Sequence, residues 1–136
     1  MTRSYASGVA SKPLIGETIG ENLERTVARF GEREALIVRH QDLRLTYDEL
    51  NERVDALARG LLGAGLRKGD RLGIWAPNCA EWVLTQYATA KDGIILVNVN
   101  PAYRTTELRY ALDQSGCRML VAATAFKTSD YAAMIE

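Results

Sequence analysis

Five polar side chains stand where a ligand could be gripped: Asn78, Asn100, Tyr103, Arg104 and Lys127. Each follows closely on a short β-rich apolar run, at 72–75, 94–99 or 119–122. Amide, phenol and cationic groups of this kind can hydrogen-bond a bound molecule. They do not form a nucleophile-and-base pair, and no two residues of the chain propose themselves as acid and base. The sequence has no G-x-x-x-x-G-K-[ST] phosphate loop, no nucleophile elbow and no metal-ligand spacing. The chemistry on offer is binding. Pro and Asn are also ordinary turn residues, so spacing alone leaves a purely structural reading open.

Other reactive groups add little. Cys79 and Cys117 are far apart, and the single His40 stands alone. At a helix start Cys79 could have a lowered thiol pKa; the competing reading is a buried, inert cysteine. The glycines Gly63, Gly65 and Gly69 follow a helix rather than a strand, which rules out a dinucleotide loop.

What could bring the five residues together is a parallel sheet. Between Gly69 and Val121, three β-rich runs alternate with two helix-period segments, the pattern of strands joined by crossover helices. The run 94–99 has no polar alternation and is bounded by Gly93 and Pro101, which predicts a central strand covered on both faces. Asn78 with Glu81, and Thr105 or Thr106 with Glu107, are expected to open the two helices; Gly93 and Gly116 are expected to close them. Parallel strands put all their carboxyl ends on one rim, where open α/β sheets take ligands.

Upstream, Thr18 and Glu21 form a capping box before Ile19, Leu23, Val27 and Phe30, with Gly31 as the stop. Residues 35–38 and 43–45 predict a small hairpin. Thr46 and Glu49 open the best helix, with Leu50, Val54, Leu57, Ala58 and Leu61 as its apolar stripe and Glu52, Arg53, Asp55 and Arg59 on the wet side. Residues 1–17 read as a flexible arm, with Pro13, Leu14 and Ile15 a segment that could lie against a neighbour. Residues 18–136 read as one α/β subdomain with helices on both faces of a mainly parallel sheet. Near the end, Thr128 or Ser129 is expected to cap a helix through Tyr131, Met134 and Ile135. The pattern is interrupted at Glu136, which predicts a longer parent polypeptide.

Composition narrows the function classes. Seventeen Lys and Arg balance seventeen Asp and Glu, so there is no basic field for a nucleic-acid backbone. No run reaches the roughly 18 apolar residues of a membrane span. The polar start and the unpaired cysteine pattern predict a reducing, cytoplasmic location.

Two segments carry a resemblance. Leu45-Thr46-Tyr47-Asp48-Glu49-Leu50 resembles the first core motif of the adenylate-forming enzymes, and Lys91-Asp92-Gly93 through Pro101 resembles the second. Asn100-Pro101-Ala102-Tyr103-Arg104 with Glu107-Leu108 is similar to the acyl-CoA synthetase branch, especially its medium-chain fatty acyl members. The resemblance runs from about Thr18 to Glu136. It implies a parent enzyme that activates a fatty acid with ATP and Mg²⁺ to an acyl-adenylate and passes the acyl group to coenzyme A. The family's phosphate loop, acidic motif, ribose-binding Asp and C-terminal lysine have no counterpart within these 136 residues. The chain alone is therefore expected to be inactive and to bind none of these cofactors tightly. The resemblance implies a coenzyme A phosphate contact for Lys127 and mainly structural roles for both core motifs. Two other readings stay open at this point: a stand-alone α/β binding or interaction module, and an aryl-acid or peptide-synthetase-type adenylating enzyme.

Overall fold

Capping chemistry fixes where the first helices begin. In the computed structural model, which describes residues 8, 11–12 and 14–136, Thr18 and Glu21 exchange the reciprocal bonds of a capping box ahead of α1, Ile19–Phe30. Thr46 and Glu49 do the same for α2, Tyr47–Gly63. Each box satisfies orphan donors of the first turn. Between the helices, β1 (Glu34–Val38) returns as β2 (Leu43–Thr46) in an antiparallel hairpin. The turn is a short 3-10 segment, Arg39–Gln41, closed by Asp42 in the left-handed region. Most of the expected 1–17 arm, Pro13 included, lies outside the described residues. Leu14 and Ile15 are exposed.

The main sheet has three parallel strands in the order β4-β3-β5: β3 is Arg71–Trp75, β4 Ile95–Asn98 and β5 Met119–Ala122. Helices α3 (Ala80–Asp92) and α4 (Thr105–Ser115) make the two crossovers. Left-handed Gly93 and Gly116 stop them, as their positions in the sequence predict. The expectation of a central 94–99 strand is overturned. The central strand is β3, whose Leu72 to Trp75 are all buried, while β4 is an edge with Ile95 47% exposed. An unbroken apolar run implies cover on both faces, but at an edge the outer face of β4 is only partly covered. A charge and a glycine in β3 lower its apparent apolarity. Gly73 is there because a Cβ would sit 3.1–3.3 Å from Leu120, Cys117 and Leu112, so a bare backbone lets α4 approach the sheet.

Three predicted caps are also corrected. The α3 N-cap is Cys79 rather than Asn78, and the Ala80 N–H donates to Gln41 Oε1 at 2.7 Å. Gln41 Nε2 in turn donates to Glu81 Oε2 at 2.9 Å. A glutamine from the hairpin turn thus completes a capping arrangement supplied locally elsewhere. Arg104, not Thr105 or Thr106, caps α4, its backbone N–H donating to Glu107 at 3.1 Å. Asp130, not Thr128 or Ser129, caps α5 (Tyr131–Ile135): it ends β7 (Ser129–Asp130), paired with β6 (Ala125–Phe126), and its Oδ1 accepts from the Ala133 N–H at 3.1 Å.

Helices cover both faces of the sheet. On one side α1, α2 and α3 enclose Leu23, Leu50, Val54, Ala58, Leu61, Leu66, Leu72 and Ile94. Of the predicted α2 stripe, Leu57 is only partly buried, and Asp55 is not simply solvated. Lys91 of α3, its side chain 10% exposed, reaches Asp55 at 2.6 Å, Asn51 at 2.8 Å and Glu24 at 3.2 Å. One ammonium thereby ties α3 to α1 and α2. Burial pushes its pKa down, but the bonds to Asp55 and Glu24 outweigh that and raise it. On the other face lie Trp75, Val99, Leu108 and Tyr131, with Leu112, Leu120 and Phe126 half-buried around them.

Candidate functional site

All three parallel strands end on one rim, and the five predicted residues are found there in two groups. Asn78 is exposed on the loop after β3. That loop borders a cleft of about 380 Å³ at the ends of β3 and β5, lined by Ile74, Ala76, Trp82 and Val121 with Gln41 and Glu81 as polar members. Those two polar groups are already engaged in capping α3. Hydrogen bonding from Gln41 is the main cause that holds the Glu81 carboxyl below its ordinary pKa. Cys79 borders the cleft too. It is half-buried, and burial raises its thiol pKa above the ordinary value, opposite to the lowering expected at a helix start.

The second group, Asn100, Tyr103, Arg104 and Lys127, gathers around β4's outgoing loop. Asn100 shapes that loop: its Oδ1 accepts from the Ala102 N–H at 2.9 Å and its carbonyl from the Tyr103 N–H at 3.0 Å. Tyr103 and Arg104 project outward and are exposed. The Arg104 guanidinium lies 3.4 Å from Ser129 Oγ, two residues along the β6–β7 hairpin from Lys127. Lys127 occupies the hairpin turn at φ 52°, with its ammonium 5.2 Å from the centre of the Phe126 ring. Two exposed cations therefore stand on adjoining segments, and such an arrangement suits an anion. Among the described residues no group of three or more His, Cys, Asp or Glu could hold a metal ion. The amide, phenol and cationic groups of Asn100, Tyr103, Arg104 and Lys127 are not the carboxylate donors that Mg²⁺ takes.

Two residues beneath the second group were not singled out by sequence. Trp75 and Tyr131 are both fully buried, stacked with ring centres 3.5 Å apart and planes 8° from parallel. Trp75 Nε1–H donates to the Asn100 carbonyl at 3.1 Å, and the Tyr131 hydroxyl donates to the Pro101 carbonyl. A strand-end Trp and a helix-start Tyr 56 positions apart in the sequence give no local signal of meeting.

A three-stranded parallel sheet in the order β4-β3-β5, with helices on both faces, has the topology of a doubly wound α/β unit. The profile of the family described as AMP-binding enzyme matches residues 23–136, and the chain belongs to that family. It is 55% identical over 128 residues to the human medium-chain acyl-CoA ligase ACSF2, mitochondrial, covering 94% of this chain and 21% of that protein. It is 38% identical over 118 residues to the putative acyl-CoA synthetase YngI of Bacillus subtilis (strain 168), covering 87% of this chain and 22% of that protein. Among solved structures it is similar to the N-terminal domain of FACL13 from Mycobacterium tuberculosis, with a TM-score of 0.80 and 26% identity over 87% of this chain and 28% of that one. The chain thus spans about a fifth of the length of the curated relatives it matches. No helix among the described residues is long and apolar enough to cross a membrane.

Proposed function

We propose that this chain forms the N-terminal part of an AMP-forming acyl-CoA ligase acting on fatty acids. The parent would join a carboxylate to the α-phosphate of ATP, release pyrophosphate, and transfer the acyl group to the thiol of coenzyme A. The observation that carries this reading is the 55% identity to an acyl-CoA ligase along 94% of the chain. ATP and Mg²⁺ would be held by residues outside this stretch, since the described residues offer no carboxylate cluster for the metal. Its contribution would be scaffolding for the sheet, together with a rim where Arg104 and Lys127 meet the phosphates of coenzyme A. Asn78, Asn100 and Tyr103 would line the approach to that rim.

Residues 18–136 are read as an incomplete subdomain preceded by a 1–17 arm, with the rest of the same polypeptide as the principal partner. The parent is proposed to be cytoplasmic; its free cysteines suit a reducing compartment of any kind, and recovery in a mitochondrial fraction, the compartment named for the human relative, would overturn the cytoplasmic reading. The test of function is pyrophosphate release with medium-chain and long-chain acids, ATP and Mg²⁺. The 136-residue chain should give none, and the parent polypeptide carrying it should turn over. Turnover by the short chain would refute the scaffolding role, and an inactive parent would refute the ligase reading.

A further inference from the structure

We infer that Trp75 and Tyr131 form a clasp that positions the 100–104 loop, and Arg104 with it, against the hairpin carrying Lys127. The geometry is unusual for aromatic packing alone. Aromatic pairs favour offset or edge-to-face arrangements, because a face-to-face sandwich brings like-charged ring faces together. Here the rings lie nearly parallel with centres 3.5 Å apart. Each ring ends in a polar group, and the two polar groups take successive carbonyls of one loop: Trp75 that of Asn100, Tyr131 that of Pro101. The Tyr131 phenol is protonated at neutral pH, as a tyrosine ordinarily is, and burial moves its pKa further up.

The two segments joined in this way carry the exposed cations. Trp75 ends the central strand, paired with Ala122 of β5 and following directly on Ile74, which pairs with Asn98 of β4. Tyr131 opens α5 immediately after β7, and its own N–H donates to the Thr124 carbonyl at 2.9 Å, closing the hairpin segment behind it. Moving Tyr131 therefore moves both the hairpin and the loop. Arg104 and Ser129 meet directly above this point at 3.4 Å. A loop held at two consecutive carbonyls loses the freedom to swing, so the backbone at Arg104 is presented in one place and the ordering cost when an anion arrives is reduced to that of the side chain. Trp75 and Tyr131 are positioning residues in this arrangement. The purpose assigned to the clasp rests on the coenzyme A reading of the rim; the clasp itself does not.

Tyr131→Phe and Trp75→Phe each keep an aromatic ring and remove one polar anchor. Amide hydrogen exchange by NMR on the 136-residue chain reads the clasp, using the Ala102 and Tyr103 amides of the loop against the Val54 and Ala58 amides of α2. Either variant should speed loop exchange about fivefold or more, with α2 sped by no more than its loss of global stability, whereas the control Val54→Ala should speed α2 and leave the loop within about twofold. Unchanged loop exchange in both clasp variants would overturn the clasp, as would a loop that accelerates as much in Val54→Ala, which marks opening by general destabilisation. A parallel titration with coenzyme A follows the Arg104 and Ser129 resonances. Shifts in the wild type that weaken in Tyr131→Phe support the assigned purpose. Absence of any shift in the wild type counts against the rim reading alone, with the clasp still decided by exchange.

Discussion

The two faces of the sheet are finished to different degrees. On the α1–α2–α3 side, Leu72, Val54 and Ala88 have no measurable exposure, and a buried Lys91 has a partner on each neighbouring helix. On the α4–α5 side the only wholly enclosed side chains of the cluster are Trp75 and Tyr131. Leu112, Leu120 and Met134 there line an open groove of about 330 Å³, and Leu120 and Ala122 of β5 are only partly buried. The first face encloses the larger core, open at the β4 edge and at the 380 Å³ cleft on its rim. The second is secured at the rim and loose below it. Stability should therefore be concentrated in residues 18–96, while the surface proposed to meet a ligand depends on a small aromatic anchor.

The most severe way to break this contrast is Val54→Asp. A lone carboxylate at a wholly enclosed position of the first core costs several kcal/mol, much of the stability of a small domain. The expected outcome is loss of the cooperative unfolding transition by circular dichroism. Lys91→Met comes next, at about 2 kcal/mol, less than for a deeply buried pair because Asp55 and Glu24 remain partly hydrated. Its pH dependence has a definite sign. With the folded pKa raised above the ordinary 10.5, the stabilisation is complete below 10.5 and is lost as pH rises through the folded value. The gap in denaturation midpoint between wild type and Lys91→Met should stay constant through neutral pH and close only in strong alkali. A gap that varies between pH 6 and 8 would contradict the assignment.

A smaller effect is expected with the opposite direction. Asp92 ends α3, where the dipole disfavours an anion, and its Oδ2 is buried without a hydrogen-bond partner. Burial raises its pKa above 3.8, so the favourable protonated form is present below 3.8 and lost as pH rises through the folded value. At neutral pH the carboxylate is a burden. Asp92→Ala should stabilise by about 1 kcal/mol in urea melts at pH 7 and gain little at pH 3. Arg53→Ala, on the exposed side of α2, should change stability by less than about 0.5 kcal/mol.

How far the sequence disclosed all this follows the range of the interactions. Capping boxes at Thr18 and Thr46 and left-handed stops at Gly93 and Gly116 act within a few residues, and their types announce them. Parallel pairing follows from the helix-length connections between strands. What stayed hidden are contacts between residues distant in sequence. Gln41 caps a helix 39 positions away, and Asp55 receives Lys91 across two helices. Strand order was misread for a related reason: apolar content reports burial, but whether a strand is central depends on where the other two lie. At the site, the rim positions of Asn78, Asn100, Tyr103, Arg104 and Lys127 followed from strand ends alone. The Trp75–Tyr131 stack beneath them could not, because only the fold brings residues 75 and 131 together.

The difference between the faces is tested most directly by native-state hydrogen exchange resolved residue by residue. The account predicts that amides of Val54, Ala58 and Leu61 exchange only through global unfolding. Those of Leu112, Leu120 and Met134 should exchange through smaller openings, at least about tenfold faster and with weaker denaturant dependence. Equal protection on both faces, with one common denaturant slope, would contradict it.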